Sequence, residues 1–206
     1  MLIPRCKTLV ADPPWLHEDQ LPGETRGATN QYPCLSTNDI ARFPLPPMRD
    51  DCWLFLWYVT SMLDDARLVC RIWGFEPAGG ELVWVKTTGS GLTVIDPIAA
   101  DGVVDEEQQQ TLVDIGATKP AFGMGRTVRN CDERCLIARR GRPELLDHSV
   151  RSVFFAPIGE HSSKPQRFYQ LVEKMAPGPY TELFARRRQN WRWACLGNQV
   201  DGRAVR

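Results

Sequence analysis

An α/β fold, with a mostly parallel sheet and helices on its faces, is what this sequence predicts. Apolar runs of strand length recur along it, and segments of helical spacing fall between them. The chain has 206 residues, 43% of them apolar and 24% charged, which is enough to bury one core and too few for two. Lys7-Thr-Leu-Val-Ala11 reads as the first strand, ended by Asp12-Pro13-Pro14, because proline cannot continue a ladder. Cys52–Val59 is a second, strongly apolar strand. Thr60 or Ser61 then caps a helix that runs through Asp64, Asp65, Ala66 and Arg67 to Trp73, and Gly74 ends it. Glu81–Lys86 alternates as a third strand, Arg134–Ala138 is a fourth and Ser152–Phe155 a fifth. Ser163-Lys164-Pro165 opens a helix carrying Phe168, Leu171, Val172 and Met175 at helical spacing until Pro177-Gly178. Tyr180–Phe184 and Trp193–Leu196 close the set as strands. In such sheets ligands bind outside the carboxyl ends of the strands, and Asp12 is predicted at one of these ends.

Residues 1–206 read as a single domain with a long loop or lid insertion at about 88–122, where Asp96, Asp101, Asp105, Glu106, Glu107 and Asp114 surround Gln108-Gln-Gln110. Disordered, collagenous and membrane-spanning classes are disfavoured. The longest central charge-free stretch, Cys52 to Leu63, is well short of the roughly 20 residues a bilayer-crossing helix needs. Nothing at the start directs secretion. Seven cysteines without framework spacing fit a reducing compartment, and the Cys131/Cys135 pair has no partners for a zinc site. The net charge is zero. That sum conceals a division: residues 1–125 carry 9 Lys and Arg against 17 Asp and Glu, and residues 126–206 carry 16 against 8. The division fits either an electropositive side facing a polyanion or two halves that mix in space and cancel.

Asp12-Pro13-Pro14-Trp15, directly after an apolar strand, is the most informative motif. By chance it would occur in roughly a few chains of this length per ten thousand. A strand ending in a proline turn with a packed Trp is the plain structural alternative. The functional reading starts from adenine N6, a poor nucleophile because its lone pair is delocalised into the ring. An alkyl-transfer catalyst must offer acceptors to its two hydrogens and stabilise the positive charge that develops on nitrogen. Asp12 offers a carboxylate. Two prolines offer carbonyls and no N–H donors, so the wall facing the amine is acceptor-only. Trp15 offers a face for a base taken out of its helix.

The chain resembles the N6-adenine methyltransferase family that includes the catalytic subunit of the eukaryotic messenger-RNA N6-adenosine methyltransferase. The resemblance rests on an ordered set: Ala11-Asp-Pro-Pro-Trp15, Tyr32-Pro-Cys-Leu-Ser36, Leu54-Phe-Leu-Trp57, Trp73-Gly-Phe75, Trp84-Val-Lys-Thr87, Gly125-Arg126, Glu133, Cys135-Leu136, Ser163-Lys-Pro165, Glu182-Leu-Phe-Ala-Arg186 and Leu196-Gly-Asn-Gln199. It implies a Rossmann-like class I methyltransferase fold with the catalytic motif before the cofactor motif, S-adenosylmethionine as cofactor and no metal. By motif match, Asp12 and the Pro13 carbonyl hold N6, while Pro14 and Trp15 shape the base pocket. Tyr32, Trp57, Arg126, Arg129 and Glu133 fall on the substrate side. Lys164 binds near the cofactor's carboxylate, Glu182 accepts ribose hydroxyls, and Leu183, Phe184, Arg186, Asn198 and Gln199 complete the cofactor side.

The resemblance further implies nucleic acid as substrate, with DNA favoured over RNA, no membrane partner, and a cytoplasmic enzyme of bacterial or phage type. It leaves room for a homodimer or a heteromeric partner. A competing reading, a binding partner that keeps the fold without the chemistry, is disfavoured by the intact tetrapeptide. Arg126, Arg129, Arg139, Arg140, Arg142 and Arg151 are expected to form a phosphate-contacting surface. Relatives have a further cofactor-contacting strand before the catalytic one, where only eleven residues precede Asp12 here. The segment Arg186-Arg-Arg-Gln-Asn190 is also shorter than in the eukaryotic enzymes and has no His.

Overall fold

The computed structural model describes residues 4–16, 34–87, 120–121, 128–159 and 163–197. Seven strands form one sheet in the order β5-β3-β4-β2-β1-β6-β7. They are β1 (Cys6–Ala11), β2 (Met48–Tyr58), β3 (Glu76–Thr87), β4 (Asp132–Arg140), β5 (Val153–Pro157), β6 (Tyr180–Leu183) and β7 (Trp193–Leu196). The helices are α1 (Thr37–Ala41), α2 (Leu63–Ile72) and α3 (Gln166–Met175). Four of the six strand pairings are parallel, and β4 runs antiparallel to both of its neighbours. The α/β class and the mostly parallel sheet are therefore as expected. Most of the insertion expected at 88–122 lies outside the described residues.

The central strands are apolar on both sides because both sides are covered. Leu9, Ala11, Leu54, Leu56, Tyr58, Leu136 and Ala138 pack toward α1 and α2 with Ile40, Ala66, Val69 and Phe75. Val10, Phe55, Trp57, Cys135 and Ile137 pack toward α3 with Phe168, Leu171 and Val172. This explains the unbroken apolar run in β2, in which alternate residues serve opposite cores. Phe168 meets Trp57 at 4.7 Å and Tyr169 meets Trp193 at 5.2 Å, so α3 is seated by aromatic contacts.

Element ends differ from expectation for local reasons. Neither Thr60 nor Ser61 caps α2; Thr60–Met62 forms a 3₁₀ turn, and α2 begins after Met62 without a side-chain cap. Gly74, at φ +81°, ends α2 as expected: its N–H bonds to Arg71 O and the Phe75 N–H to Cys70 O. β3 starts five residues earlier than its alternation suggests, because Glu76–Gly80 pairs with β4 across an irregularity between Pro77 and Gly80. α1 has no periodic apolar signature and is set by Ser36, whose hydroxyl accepts the Asp39 N–H.

Because β1, β2, β3, β5, β6 and β7 share a direction, their carboxyl ends meet the amino end of β4 along one edge. β1 lies between β2 and β6, from which the chain leaves and to which it returns on opposite sides, a switch point at which such sheets bind ligands. Beside it β6 is followed by Phe184, at φ +64°, whose ring packs on Phe43 at 4.6 Å. The turn is completed by the Ala185 N–H bonding to Leu196 O. A Cβ on Gly197 would overlap the Ala185 carbonyl oxygen and lie 2.6 Å from its nitrogen. Gly197→Ala is expected to cost about 1–3 kcal/mol through this overlap, read as a lowered midpoint in thermal unfolding. An unchanged midpoint would contradict the close approach.

Candidate active site

The catalytic-looking tetrapeptide is held from three sides. The Asp12 N–H reaches Leu183 O of β6 at 3.4 Å, and the Trp15 N–H turns back to Pro13 O at 2.9 Å. Pro14 O accepts the Leu35 N–H at 2.8 Å, Leu35 O accepts the Leu16 N–H at 2.9 Å, and the Trp15 indole donates to Trp57 O of β2 at 2.9 Å. The prolines have no N–H to satisfy, so their carbonyls anchor the turn while only the Asp12 and Trp15 amides of the tetrapeptide need acceptors.

Beyond the turn, four charged side chains alternate in sign. Lys164 Nζ, just before α3, lies 2.8 Å from Asp12 Oδ2 and 3.1 Å from Glu133 Oε2 of β4. Glu133 Oε1 in turn lies 2.6 Å from Lys86 Nζ near the end of β3. The Lys164 ammonium also stands 5.0 Å from the centre of the Trp57 ring. Side-chain exposure is 9% for Lys164 and 19% for Asp12, so each charge is largely cut off from water. Burial raises the Asp12 pKa above the ordinary carboxylate range, with Lys164 opposing it. Burial likewise works against the Lys164 charge, but the carboxylates of Asp12 and Glu133 outweigh it and hold the ammonium above its usual range. Glu133 is pushed up by burial and pulled down further by Lys164 and Lys86, ending below its usual value.

A third carboxyl group stands behind Asp12. Glu182 of β6 is 5% exposed, with Oε1 accepting the Tyr169 hydroxyl at 2.8 Å and Oε2 accepting the Gln189 amide at 3.0 Å. Burial raises its pKa to about 7, against the stabilising bonds from Tyr169 and Gln189. The start of α3 is tied to this group's loop by Arg187 Nη2, which donates to Lys164 O at 3.2 Å. Among the described residues no cluster of three or more His, Cys, Asp or Glu side chains offers a metal site. None of their helices is long and apolar enough to cross a membrane.

Of the residues expected from sequence, the fold brings together Asp12, Pro13, Pro14, Trp15, Lys164, Glu133, Glu182, Leu183 and Phe184, with Arg186 close enough to act on the Asp12 charge. Tyr32, Arg126, Asn198 and Gln199 lie outside the described residues. Trp15 and Trp57 are corrections: at 4% and 2% exposure their rings are packed inside and offer no face to a base. Their work is to pin the tetrapeptide to β2 and to line the floor beneath Lys164. The Pro13 carbonyl, expected to face the amine, already accepts from Trp15 and retains one lone pair for a second donor.

The expected arginine surface also divides. Arg139 and Arg140 end β4, Arg142 follows it, and Arg151 precedes β5, all at the edge opposite Asp12, whereas Arg129 lies before β4 on the Asp12 side. Lys86, Tyr169 and Gln189 were missed as site residues. Tyr169 is adjacent to an apolar helical stripe and Gln189 sits in a basic loop, so neither carries a local signal. Lys86 stands in the Trp84-Val-Lys-Thr87 motif, which was the available clue.

Removing the Lys164 charge should expose the physics of the pair. In Lys164→Met the folded-state pKa of Asp12 climbs further above its unfolded value. The folded chain then binds more protons than the unfolded one across that interval, so stability falls as pH rises through it. Thermal unfolding should show a loss of about 3–5 kcal/mol at pH 8 and a smaller one at pH 5. An equal loss at both values would contradict the pairing.

Comparison with known proteins agrees with this arrangement. The human N(6)-adenosine-methyltransferase catalytic subunit METTL3 is 28% identical over 204 residues, covering 98% of this chain and 29% of the relative. A Drosophila melanogaster N(6)-adenosine-methyltransferase MT-A70-like protein is 28% identical over 197 residues, covering 94% of this chain and 27% of the relative. This chain thus spans less than a third of the length of those two proteins. The type II methyltransferase M.MunI of Mycoplasma sp. is 24% identical over 225 residues, covering 97% of this chain and 82% of the relative. The model of the MT-A70 family matches residues 6–199, a span that includes every strand of the sheet and all four members of the charge chain, and the chain accordingly belongs to the MT-A70 family.

Proposed function

We propose that this protein transfers a methyl group from S-adenosylmethionine to N6 of adenine in a nucleic acid. One observation carries the reading: the Asp12 carboxylate lies at the carboxyl end of β1 with Oδ2 held by Lys164, so that Oδ1 is left to accept a hydrogen from an amine. Family membership and the names of the relatives support the same reaction.

The residues present suit the cofactor. S-adenosylmethionine carries a carboxylate, an ammonium and a ribose diol; the site offers the Lys164 ammonium for the first and buried carboxylates for the others. Lys164, Glu182, Leu183, Phe184 and Arg186 would hold it, with Asn198 and Gln199 completing the set. When bound, it supplies an electrophilic methyl group. Asp12 orients the amine, accepts its hydrogen and stabilises the positive charge that grows on nitrogen; after transfer it is placed to receive the proton that N6 must lose. Lys164 favours the ionised form of Asp12 against its burial, and the packed Trp15 and Trp57 hold the carboxylate in place. Glu182, near pKa 7, takes up ribose hydroxyls best as a carboxylate.

We put DNA first as substrate because the compact Mycoplasma type II methyltransferase is the relative whose length this chain mostly spans. RNA is the second reading, favoured by the adenosine, a ribonucleoside, in the names of the animal relatives. Incubation with labelled cofactor and separate double-stranded DNA, single-stranded DNA and RNA, followed by nucleoside mass spectrometry, tests both; label on none of them would remove the proposal. Asp12→Asn should lower kcat by about 10²–10³ with the fold intact by circular dichroism. Wild-type turnover in that variant would sink the role of Asp12. Affinity for S-adenosylhomocysteine, measured by calorimetry, should fall severalfold from pH 8 to pH 6 as Glu182 takes up a proton. Glu182→Gln should weaken binding and flatten that dependence, and a persisting slope would assign it elsewhere.

A further inference from the structure

Lys86 stands on β3, separated from β1 by β4 and β2, yet it is connected to Asp12 through only two side chains. Its backbone is fixed by the Lys86 N–H bonding to Cys131 O at 2.7 Å and by Lys86 O accepting the Ala121 N–H at 2.8 Å. Its side chain is 26% exposed, and its ammonium sits 2.6 Å from Glu133 Oε1 and 5.5 Å from the centre of the Trp84 ring, and so is directed inward. Glu133 has two oxygens and two cations. With Lys86 on one oxygen, the other meets Lys164 at 3.1 Å, a longer contact than the 2.8 Å between Lys164 and Asp12.

We infer that Lys86 is a positioning residue for Asp12: by occupying Glu133 it prevents that glutamate from drawing the Lys164 ammonium away from Asp12. The reasoning is Coulombic. Without Lys86, the negative charge of Glu133 is balanced by Lys164 alone, which both pulls Lys164 toward β4 and leaves more negative charge beside Asp12. Both effects disfavour ionised Asp12. The other groups that act on Asp12 are Arg186 beyond β6, which favours its charge, and Glu182 of β6; Tyr169 of α3 and Cys135 of β4 are neutral neighbours. The inference rests on the reading of Asp12 as the acceptor of the amine, but its first readout needs neither substrate nor cofactor.

The test titrates the Asp12 carboxyl by carbon-13 NMR in the unliganded full chain, in wild type, Lys86→Met, Lys86→Arg, Glu133→Gln and the Lys86→Met/Glu133→Gln double variant. Lys86→Met should move the Asp12 midpoint upward by about one pH unit, Lys86→Arg should restore it, and in the Glu133→Gln background Lys86→Met should add nothing. In methyl transfer the acid limb of kcat should shift upward by the same interval, with a loss that approaches about tenfold at the low-pH end of the limb and is small at pH 9. An unmoved midpoint in Lys86→Met overturns the inference, as does an equal shift with and without Glu133. So does weaker nucleic-acid binding with a shallower salt dependence and an unmoved midpoint, which would assign Lys86 to a phosphate. Because the NMR shift is measured without substrate, a wild-type protein that transfers no methyl group would remove the proposed function and leave this test standing.

Discussion

A carboxylate buried at the end of a strand loses most of its hydration and, left alone, takes up a proton. Asp12 is in that position, and the Lys164 ammonium at 2.8 Å opposes that uptake. Much else in the fold can be read as support for that contact. α3 must be seated so that the residue before its first turn reaches β1, which its aromatic packing against Trp57 and Trp193 provides. The tetrapeptide must be rigid, which the bonds to Leu183, Leu35 and Trp57 provide. Lys164 must itself be paid in opposite charge from a second side, and Glu133 supplies it.

This arrangement settles what the division of charge along the sequence means near the site. The acidic first part supplies Asp12 and Lys86, and the basic second part supplies Glu133 and Lys164, so that, the Lys164–Glu133 contact within the second part aside, the ion pairs join one part to the other. The Glu81–Arg134 contact between β3 and β4 does the same. Charges separated along the chain are thus interleaved in space, and among the described arginines of the expected surface only Arg129 remains on the side of Asp12.

Glu182 shows the cost of preparing such a site. Its pKa of about 7 means that the folded chain binds a proton the unfolded chain has already released between about pH 4.5 and 7. Stability therefore declines as pH rises through that interval, by about 3 kcal/mol in all. Tyr169 and Gln189 reduce the penalty without removing it, and a ligand that gives two hydroxyls to the carboxylate would offset what remains.

The sequence by itself determined the class of fold, the strand preceding Asp12 and the last strand at Trp193–Leu196. These depend on local properties: apolar runs, proline punctuation and short motifs, which persist whatever the rest of the chain does. It did not determine that β4 runs antiparallel between β2 and β3, although that reversal is what places Glu133 at the carboxyl-end edge and sends Arg139 and Arg140 to the far one. Nor did it show that Trp15 and Trp57 are buried, that Tyr169 and Gln189 hold Glu182, or that Lys86 reaches Glu133. Strand direction, burial and ion pairing are properties of neighbours distant in sequence, and a residue carries no local mark of a partner that only the folded chain brings beside it.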